Sequence, residues 1–396
     1  MNVIVVLFWL ALLIVFYTYI GYALLLGLLV KIKGFFSPYQ KPILLSDDAL
    51  PSVTLVVAAY NEADCIAEKI HNSMTLRYPT NKLQLLFVTD GSTDNTNHII
   101  SQYPNINLQY QPQRSGKIAA VHRIMPLVKT PIVIYTDANT MLNPEAVHNI
   151  VRHYNDPKVG AVAGEKRVYS GSSDSASGAG EGFYWRYESL LKKWDSALYS
   201  VVGAAGELFS IRTNLYEAVP TDTIIEDFYM TLRIAQQSYR VVYEPEACAT
   251  ELPSASTKEE LKRKIRIAAG GWQSVMRLLP LLNIFRYGVL SFQYISHRVL
   301  RWTITPFALL FTFLLNGYLV YSNNNILYKI LFTSQLLFYI LALIGYILSK
   351  RQIKQKVFFI PFYFCFMNYA VFAGLARYLK GNQSVVWEKA KRSTAL

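Results

Sequence analysis

TPIVIYTDANT, at residues 130–140, joins an apolar run to a short polar cluster. Ile132–Tyr135 is rich in β-branched residues, which is typical of a strand buried inside a parallel sheet. The run ends at Asp137, Ala138 and Asn139, and open α/β sheets bind their ligands at such strand ends. A carboxylate and an amide oxygen two residues apart are suitable ligands for Mg²⁺ or Mn²⁺ carrying a diphosphate. Taken alone, the pattern favours a strand that ends in a plain polar turn, so the neighbouring strands must decide.

Three further apolar runs upstream have the pattern of strands, at residues 53–59, 83–89 and 106–110. Their alternation with helical patterns predicts an α/β fold with a doubly wound, mainly parallel sheet. The first run is followed by Tyr60 and Glu62, and the second by Asp90 in the turn DGSTDNT. Since the carboxyl ends of parallel strands share one edge, these groups and Asp137 should face a common crevice. Neither G-x-G-x-x-G nor a P-loop motif is present, which argues against dinucleotide cofactors and P-loop chemistry.

Long apolar runs at both ends predict a membrane protein. Residues 3–30 contain no charged residue, and residues 303–321 and 326–348 are also of spanning length. The first run lacks the basic start and the cleavage site of a signal peptide, so we expect a retained anchor. A last run, 358–376, contains Pro361 and Asn368. This run either spans the membrane or forms a re-entrant or interfacial segment. We favour a re-entrant or interfacial segment because it keeps the basic tail on the cytoplasmic side.

The formal charge of +13 comes largely from lysines and arginines beside the apolar runs. Such flanks mark the cytoplasmic side, so we expect a multi-pass protein of the cell membrane with a cytoplasmic middle domain and no nucleic-acid partner. Cys65, Cys248 and Cys365 have no C-x-x-C spacing, so neither a zinc site nor a disulfide framework is predicted.

Four motifs in serial order resemble a known family: VVAAYNEAD, VTDGSTD, RSGKIAA and YTDAN. They are similar to the nucleotide-binding half of the inverting family 2 glycosyltransferases, which have the GT-A fold. The resemblance continues through GAAGELFSIR at 203–212 and IIEDFYMTLRI at 224–234, and it covers about residues 51–273. The membrane arrangement resembles the branch that includes poly-N-acetylglucosamine, hyaluronan and cellulose synthases.

The resemblance implies a role for each matching residue in binding a nucleotide-sugar donor, here a UDP-sugar. The residues implied to contact the nucleoside are Ala58, Tyr60, Glu62 and Asp90. Lys117 would contact the phosphates, and Asp137, with Asn139 as a weaker candidate, would hold Mg²⁺ or Mn²⁺ at the donor. Asp227 would be the catalytic base with Glu226 as its neighbour, although a charged pair at a helix start is otherwise only a cap.

Polymer-building members of the family carry Q-x-x-R-W where this chain has Arg263, Lys264, Ile265, Arg266 and Ile267. Both arginines can bind a pyrophosphate. The motif's tryptophan is missing, and the nearest one is Trp272, our acceptor-side candidate. The same stretch also fits a basic helix lying on anionic lipid.

Two segments between the motifs have simpler interpretations. SGSSDSASGAGEG at 170–182 is predicted to be a flexible connector, or a loop that orders over bound donor or acceptor. The helical face over 183–198 carries Tyr and Trp that could stack on a sugar, but core packing is favoured.

The predicted domains are an anchor at 1–31, a glycosyltransferase domain at 51–275, an interfacial amphipathic helix at 276–301, membrane segments at 302–380 and a basic tail at 381–396. The predicted function is transfer of a sugar from a nucleotide-diphosphate donor to a lipid-linked or growing glycan acceptor. The close alternative is a processive synthase that also translocates its polymer. It would do so alone, as an oligomer or with polysaccharide-export partners. Two further alternative functions are an inactive nucleotide-binding membrane scaffold and a nucleotidyltransferase.

Overall fold

The computed structural model describes residues 2–37, 46–169, 176–351, 353 and 355–381. The described residues form two compact units. The sheet unit comprises Ile32–Tyr169 and Trp185–Pro253, and the helical unit comprises Met1–Lys31, Ser170–Tyr184 and Ser254–Asn382.

The strands are β1 Val53–Ala59, β2 Leu83–Asp90, β3 Asn107–Gln111, β4 Ile132–Asp137, β5 Thr140–Leu142, β6 Val159–Val168, β7 Leu208–Arg212 and β8 Arg240–Glu251. The α-helices are α1 Asn2–Phe16, α2 Tyr22–Phe36, α3 Ile66–Met74, α4 Thr96–Ser101, α5 Lys117–Ile124, α6 Ala146–Val151, α7 Ala176–Leu198, α8 Glu226–Gln236, α9 Thr257–Arg277, α10 Ile284–Tyr287, α11 Val289–Tyr294, α12 Leu300–Trp302, α13 Ile304–Ser322, α14 Ile326–Lys350 and α15 Lys356–Leu379. The described part of the chain also has two π-helical turns, at Tyr17–Gly21 and Ile295–Val299.

The sheet unit is built on one eight-stranded sheet in the order β3-β2-β1-β4-β7-β6-β8-β5. The first four strands in that order are parallel, and β6 also pairs in parallel with β8. Strand β7 runs antiparallel to both β4 and β6. The predicted doubly wound, mainly parallel α/β fold is confirmed. Strands β1, β2 and β4 lie side by side, so their carboxyl ends meet at one edge.

The core of this unit explains why the apolar runs were readable as strands. All seven residues of β1 are buried, and so are the first five of β4. A strand buried on both faces needs apolar side chains at every position, so it shows a continuous run and no alternation. Helix α3 covers this core with Ile66 and Ile70, both fully buried.

In the helical unit, α15 lies against α9 at small residues. A Cβ built on Gly374 would lie 2.6 Å from the Cβ of Ala268, so only glycine allows this approach. The Tyr363 hydroxyl donates a 2.9 Å hydrogen bond to the carboxylate of Glu260. Among the residues that the structure describes, four helical stretches are long and apolar enough to cross a membrane: Val3–Phe36, Ile304–Ser322, Ile326–Lys350 and Lys356–Leu379.

Three predictions about local structure are corrected. Helix α7 begins at Ala176, so the predicted loop over 170–182 is helical from that residue onward, and 170–175 lie outside the described residues. The helix continues into the apolar helical face predicted over 183–198, and the high helix propensity of alanine favours its first turn. The last apolar run forms one continuous 24-residue helix, α15, so the re-entrant alternative is wrong, while the interfacial and the spanning alternatives stay predictions.

The third correction concerns residues 276–301, where one amphipathic helix was predicted. The chain instead forms short helices separated at Asn283 and Gly288, and Gly288 has a φ of +51°. Asn283 caps helix α10, because its side-chain oxygen accepts hydrogen bonds from the backbone N–H groups of Phe285 and Arg286. The predicted basic tail at 381–396 lies, apart from Gly381, outside the described residues.

Candidate functional site

A cleft lies at the carboxyl ends of β1, β2 and β4. The strand register pairs Ala58 of β1 with Val88 of β2 on one side and with Asp137 of β4 on the other. The residues that line the cleft are Ala58, Ala59, Tyr60, Val88, Asp90, Arg114, Gly116, Lys117 and Ala120. The structure therefore brings together four of the residues predicted to bind the donor: Ala58, Tyr60, Asp90 and Lys117.

Asp90 is held at the end of β2 by a tight backbone arrangement. Its Oδ2 accepts hydrogen bonds from the backbone N–H groups of Ser115, at 2.9 Å, and Gly116, at 2.5 Å. Gly91 has a φ of +68°, and a Cβ there would lie 2.9 Å from the backbone nitrogen of Arg114. The buried Oδ1 lies 3.9 Å from a guanidinium nitrogen of Arg123 and has no hydrogen-bond partner among the described residues, so it can accept from a ligand.

Arg114 was not among the predicted site residues. Its guanidinium lies 3.6 Å from the centre of the Tyr60 ring, and both residues line the cleft. A planar cation stacked on an aromatic face is a favourable contact, and a flat heterocycle can stack on the same ring. The signal in the sequence was the RSGK motif itself, of which only the lysine had been assigned a role.

The turn after β1 is fixed by side-chain hydrogen bonds to the turn after β2. Asn61 adopts a φ of +52°, and its side-chain oxygen accepts from the backbone N–H of Thr93 at 2.8 Å. Glu62 is buried, and its carboxylate accepts a hydrogen bond from the thiol of Cys65 at 3.4 Å. Glu62 is not among the residues that line the cleft, so its predicted contact with the nucleoside stays a prediction.

A lysine between two carboxylates forms the centre of the site. The Lys117 Nζ lies 2.8 Å from Asp137 Oδ1 and 2.9 Å from Glu226 Oε1. Burial alone would lower the pKa of Lys117, but the two carboxylates raise it well above its ordinary value. Burial raises the pKa of Asp137, and the ion pair with Lys117 opposes that rise. Lys117 is therefore a permanent positive charge at this edge of the sheet.

Asp227 follows Glu226 in the first turn of α8. Burial, and then repulsion from Glu226, raise the pKa of Asp227 to about 7. A Cβ on Gly206 would lie 3.6 Å from the Asp227 carboxyl carbon and 3.7 Å from the Lys117 Nζ. The backbone of Gly206 thus borders both groups. The raised pKa makes Asp227 suited to accept a proton near neutral pH.

The turn from β4 to β5 carries Asp137 and Asn139, and a buried lysine forms hydrogen bonds with the residues at its two ends. The Lys69 Nζ donates to Thr136 Oγ1 at 3.1 Å and to the backbone oxygen of Thr140 at 2.6 Å. It therefore bridges the residues on either side of the D-A-N sequence. Burial lowers the pKa of Lys69 to about 7.

A second buried lysine lies beside the site. Lys166 of β6 forms ion pairs with Glu207 and Glu251, and its Nζ lies 5.0 Å from the centre of the Trp185 ring on α7. Glu207 precedes β7 and contributes to the raised pKa of Asp227. This network was not predicted, because its members are far apart in the sequence.

The side chains predicted to hold a divalent ion are Asp137 and Asn139. Within the described part of the chain, no group of three or more His, Cys, Asp or Glu side chains could hold a metal. One carboxylate and an amide suffice for Mg²⁺ or Mn²⁺ only when a ligand's phosphates complete the coordination. The residues therefore fit an ion that arrives with a diphosphate.

Three other predicted residues, Arg263, Arg266 and Trp272, lie on α9 in the helical unit. Arg263 is buried, while Arg266 and Trp272 are partly exposed. The indole Nε1 of Trp272 has no hydrogen-bond partner within residues 2–37, 46–169, 176–351, 353 and 355–381.

Comparison with known proteins agrees with this architecture. The poly-beta-1,6-N-acetyl-D-glucosamine synthase of Staphylococcus aureus strain MSSA476 is 28% identical over 241 residues, which cover 58% of this chain and 57% of that protein. The synthase of the same name from Staphylococcus epidermidis strain RP62A is 23% identical over 255 residues, 61% of this chain and 60% of that protein. The match thus spans about six tenths of each relative.

A solved structure has the same fold over most of the chain. The mannosyltransferase PcManGT from Pyrobaculum calidifontis, in complex with GDP-Man and Mn²⁺, superposes with a TM-score of 0.72. The two chains are 21% identical, and the superposition covers 95% of this chain and 99% of the other. Residues 54–219 match the model described as glycosyl transferase family 2, which confirms the resemblance noted in the motifs. The similarity to glycosyl transferase family 2 is thus shown for residues 54–219 of the chain.

Proposed function

We propose that this protein is a membrane-bound inverting glycosyltransferase that moves a sugar from a nucleotide-diphosphate donor to a glycan or lipid-linked acceptor. The observation that carries the proposal is the arrangement of Asp137, Lys117 and Asp227 beside the cleft that contains Asp90. It supplies a place for a nucleoside, positive charge for a diphosphate and a carboxylate that can accept a proton. The proposed membrane orientation places the sheet unit in the cytoplasm.

In the proposed reaction, the Asp227 carboxylate takes the proton of an acceptor hydroxyl while that oxygen attacks the anomeric carbon. The bond from the anomeric carbon to the diphosphate breaks, and its electron pair stays on the leaving diphosphate. A single displacement of this kind inverts the anomeric configuration. Lys117, whose raised pKa keeps it charged, stabilises the negative charge on the leaving group.

A divalent ion, when bound, would neutralise part of the diphosphate charge, with Asp137 and Asn139 as its protein ligands. Lys117 keeps Glu226 as a partner if Asp137 turns to the ion, since both carboxylates contact it. The Mn²⁺ in the structure of the mannosyltransferase supports testing this ion first.

The similarity to poly-beta-1,6-N-acetyl-D-glucosamine synthases supports UDP-N-acetylglucosamine as the first donor to test. It also favours a second candidate function, processive polymerisation. Arg263 and Ile267 at the Q-x-x-R-W positions argue for addition of one or a few sugars.

Product length distinguishes addition of a few sugars from processive polymerisation. It is measured in membranes that contain the full chain and are given radiolabelled UDP-N-acetylglucosamine. We expect short products, and a ladder of long chains would favour the synthase. The absence of any labelled product, with each of the common UDP-sugars and GDP-mannose, would contradict transfer altogether.

The raised pKa of Asp227 predicts a pH dependence. Because the pKa of this carboxyl is about 7, the fraction that is ionised and can accept a proton grows as the pH rises through that value. We expect kcat/KM to rise with pH through about 7 and then to level off, when initial rates are measured between pH 5.5 and 9. A profile that is flat across this range would contradict the assignment of Asp227 as the base.

Lys69→Met separates the function of the buried lysine from its effect on stability. Because burial lowers the pKa of Lys69, removing the amine should leave the midpoint of thermal unfolding unchanged or raise it. The turn that carries Asp137 would lose its two hydrogen bonds, so we expect UDP binding in Mn²⁺ to weaken by about tenfold.

Calorimetric titration of UDP with Mn²⁺, beside thermal unfolding, measures both effects. The control is Lys129→Met, which removes an exposed lysine of the sheet unit and should change neither quantity. Wild-type UDP affinity in Lys69→Met would show that the lysine does not position the turn.

A further inference from the structure

Helix α7 has an unusual distribution of charged residues from Trp185 onward. Three of them, Glu188, Lys192 and Asp195, are at most 3% exposed. Burying charged side chains is costly unless they find partners inside the protein, so this side of the helix packs on a polar surface. Both acidic residues of the stretch 185–198 are among the three, and both are therefore removed from the surface of the helix.

Polar contacts join this side of α7 to strands β6 and β8. The Ser189 hydroxyl donates a 2.7 Å hydrogen bond to the carboxylate of Glu165 on β6. The backbone N–H of Tyr243 on β8 donates to the Ser196 hydroxyl at 3.0 Å, and the Lys192 Nζ lies 5.8 Å from the centre of the Tyr243 ring. Because these contacts turn the polar side of the helix toward the sheet, the opposite side faces away from it.

The opposite side of α7 is basic and apolar. Arg186, Leu190 and Lys193 are exposed, and their spacing of four and then three residues places them on one stripe. Tyr187 and Trp194 flank the stripe and are partly exposed. We call these five residues the outer face of α7. The outer face combines basic residues with Leu, Tyr and Trp and has no acidic residue, which is the composition of a helix that lies in a membrane interface.

A lysine at the end of the first candidate span fixes the depth of α7. Lys33 lies in the last turn of the span Val3–Phe36, after the uncharged residues 3–30, and a lysine at this position of a spanning helix lies at the headgroups. Its Nζ donates to the backbone oxygens of Ala197, at 2.9 Å, and Leu198, at 2.7 Å. These are the last two residues of α7, and they and Lys33 belong to the sheet unit. In a spanning Val3–Phe36, the end of α7 is therefore held at headgroup depth.

We propose that the outer face of α7 binds the cytoplasmic surface of the membrane, with its two basic side chains at anionic phospholipid headgroups and Leu190 among the acyl chains. Anionic lipids of the cytoplasmic leaflet attract Lys and Arg side chains near its surface. Long basic side chains reach the headgroups while apolar neighbours enter the membrane. The contact would hold the sheet unit to the bilayer at a second place besides its covalent link to the span. The proposal rests on Val3–Phe36 crossing the membrane, and it does not depend on sugar transfer.

Photocrosslinking identifies what the outer face contacts. The full chain with Leu190→p-benzoylphenylalanine is reconstituted in nanodiscs of equal parts phosphatidylglycerol and phosphatidylcholine, irradiated and analysed by mass spectrometry. Leu190 is 39% exposed, so the probe does not disturb the core. The same probe at Met74, which is 47% exposed on α3 of the sheet unit, is the control. We expect at least about tenfold more lipid adduct at Leu190 than at Met74.

The identity of the lipid in the adduct tests the basic side chains. With the probe at Leu190, adducts of phosphatidylglycerol should exceed those of phosphatidylcholine. Arg186→Gln/Lys193→Gln should abolish that preference. The matched control, Lys129→Gln/Lys158→Gln, removes two exposed lysines of the sheet unit and should retain it.

A third probe position makes a negative result meaningful. Leu337 is 55% exposed near the middle of the candidate span Ile326–Lys350, so Leu337→p-benzoylphenylalanine should react with lipid. Lipid adducts at Leu337 but no more at Leu190 than at Met74 would overturn the proposal. So would an adduct at Leu190 with a second copy of the chain, or an equal loss of the lipid preference in both double variants.

Discussion

Asp227→Asn should reduce turnover by about a hundredfold or more while leaving the affinity for UDP nearly unchanged. The amide has the same shape as the carboxylate, but it cannot accept the proton of the acceptor hydroxyl. UDP affinity should persist because Asp90, Lys117 and Asp137 are unaltered. Initial rates of UDP release and calorimetric binding of UDP, measured on the same preparation, test both parts of the expectation.

The matched control is Asp222→Asn, an exposed carboxylate in the segment before α8, which should keep wild-type turnover. Glu226→Gln should have an intermediate effect, because it removes one of the two carboxylates that contact Lys117. If Asp227→Asn turned over at near the wild-type rate, another group would have to be the base.

Asp137→Ala should make UDP binding insensitive to the divalent ion. In Mn²⁺ we expect the affinity for UDP to fall by about tenfold or more, because the only carboxylate of the D-A-N turn is lost. In EDTA the variant and the wild type should bind UDP alike, since Lys117 keeps its ion pair with Glu226. Calorimetric titration of UDP with each of Mn²⁺, Mg²⁺ and EDTA measures the difference.

Asp48→Ala, which removes an exposed carboxylate of the sheet unit, is the control and should keep the response to metal. A variant Asp137→Ala in which Mn²⁺ still strengthens UDP binding as much as in the wild type would show that the ion binds elsewhere.

The parts of the fold that could be predicted are those in which one local pattern has one explanation. Strand β1, most of β4, and β2 from Leu85 onward are buried, so each shows a largely apolar run that is followed by a polar turn. Strand β8 contains Pro245 and three glutamates, and its pairing depends on β6 and β5, which are distant in the sequence. Such a strand has no local signature that distinguishes it from a loop.

The same distinction separates the site residues that were found from those that were missed. Asp90, Lys117 and Asp137 stand in short motifs next to predicted strand ends. Lys69 has the pattern of an ordinary helical lysine, and only the position of α3 beneath the β4–β5 turn shows that it is buried. Gly206 likewise becomes significant only when Asp227 and Lys117 are both seen to lie close to it.

The most direct test of sugar transfer at this site is a donor screen on the purified full chain in detergent. UDP release is followed from UDP-N-acetylglucosamine, UDP-glucose, UDP-galactose and UDP-glucuronate with Mn²⁺, then with EDTA, and then with Asp227→Asn. We predict release from one of these donors, abolished both by EDTA and by the substitution. Release that persists in EDTA and in Asp227→Asn, or a wild-type protein that neither releases nor binds UDP, would contradict the assignment.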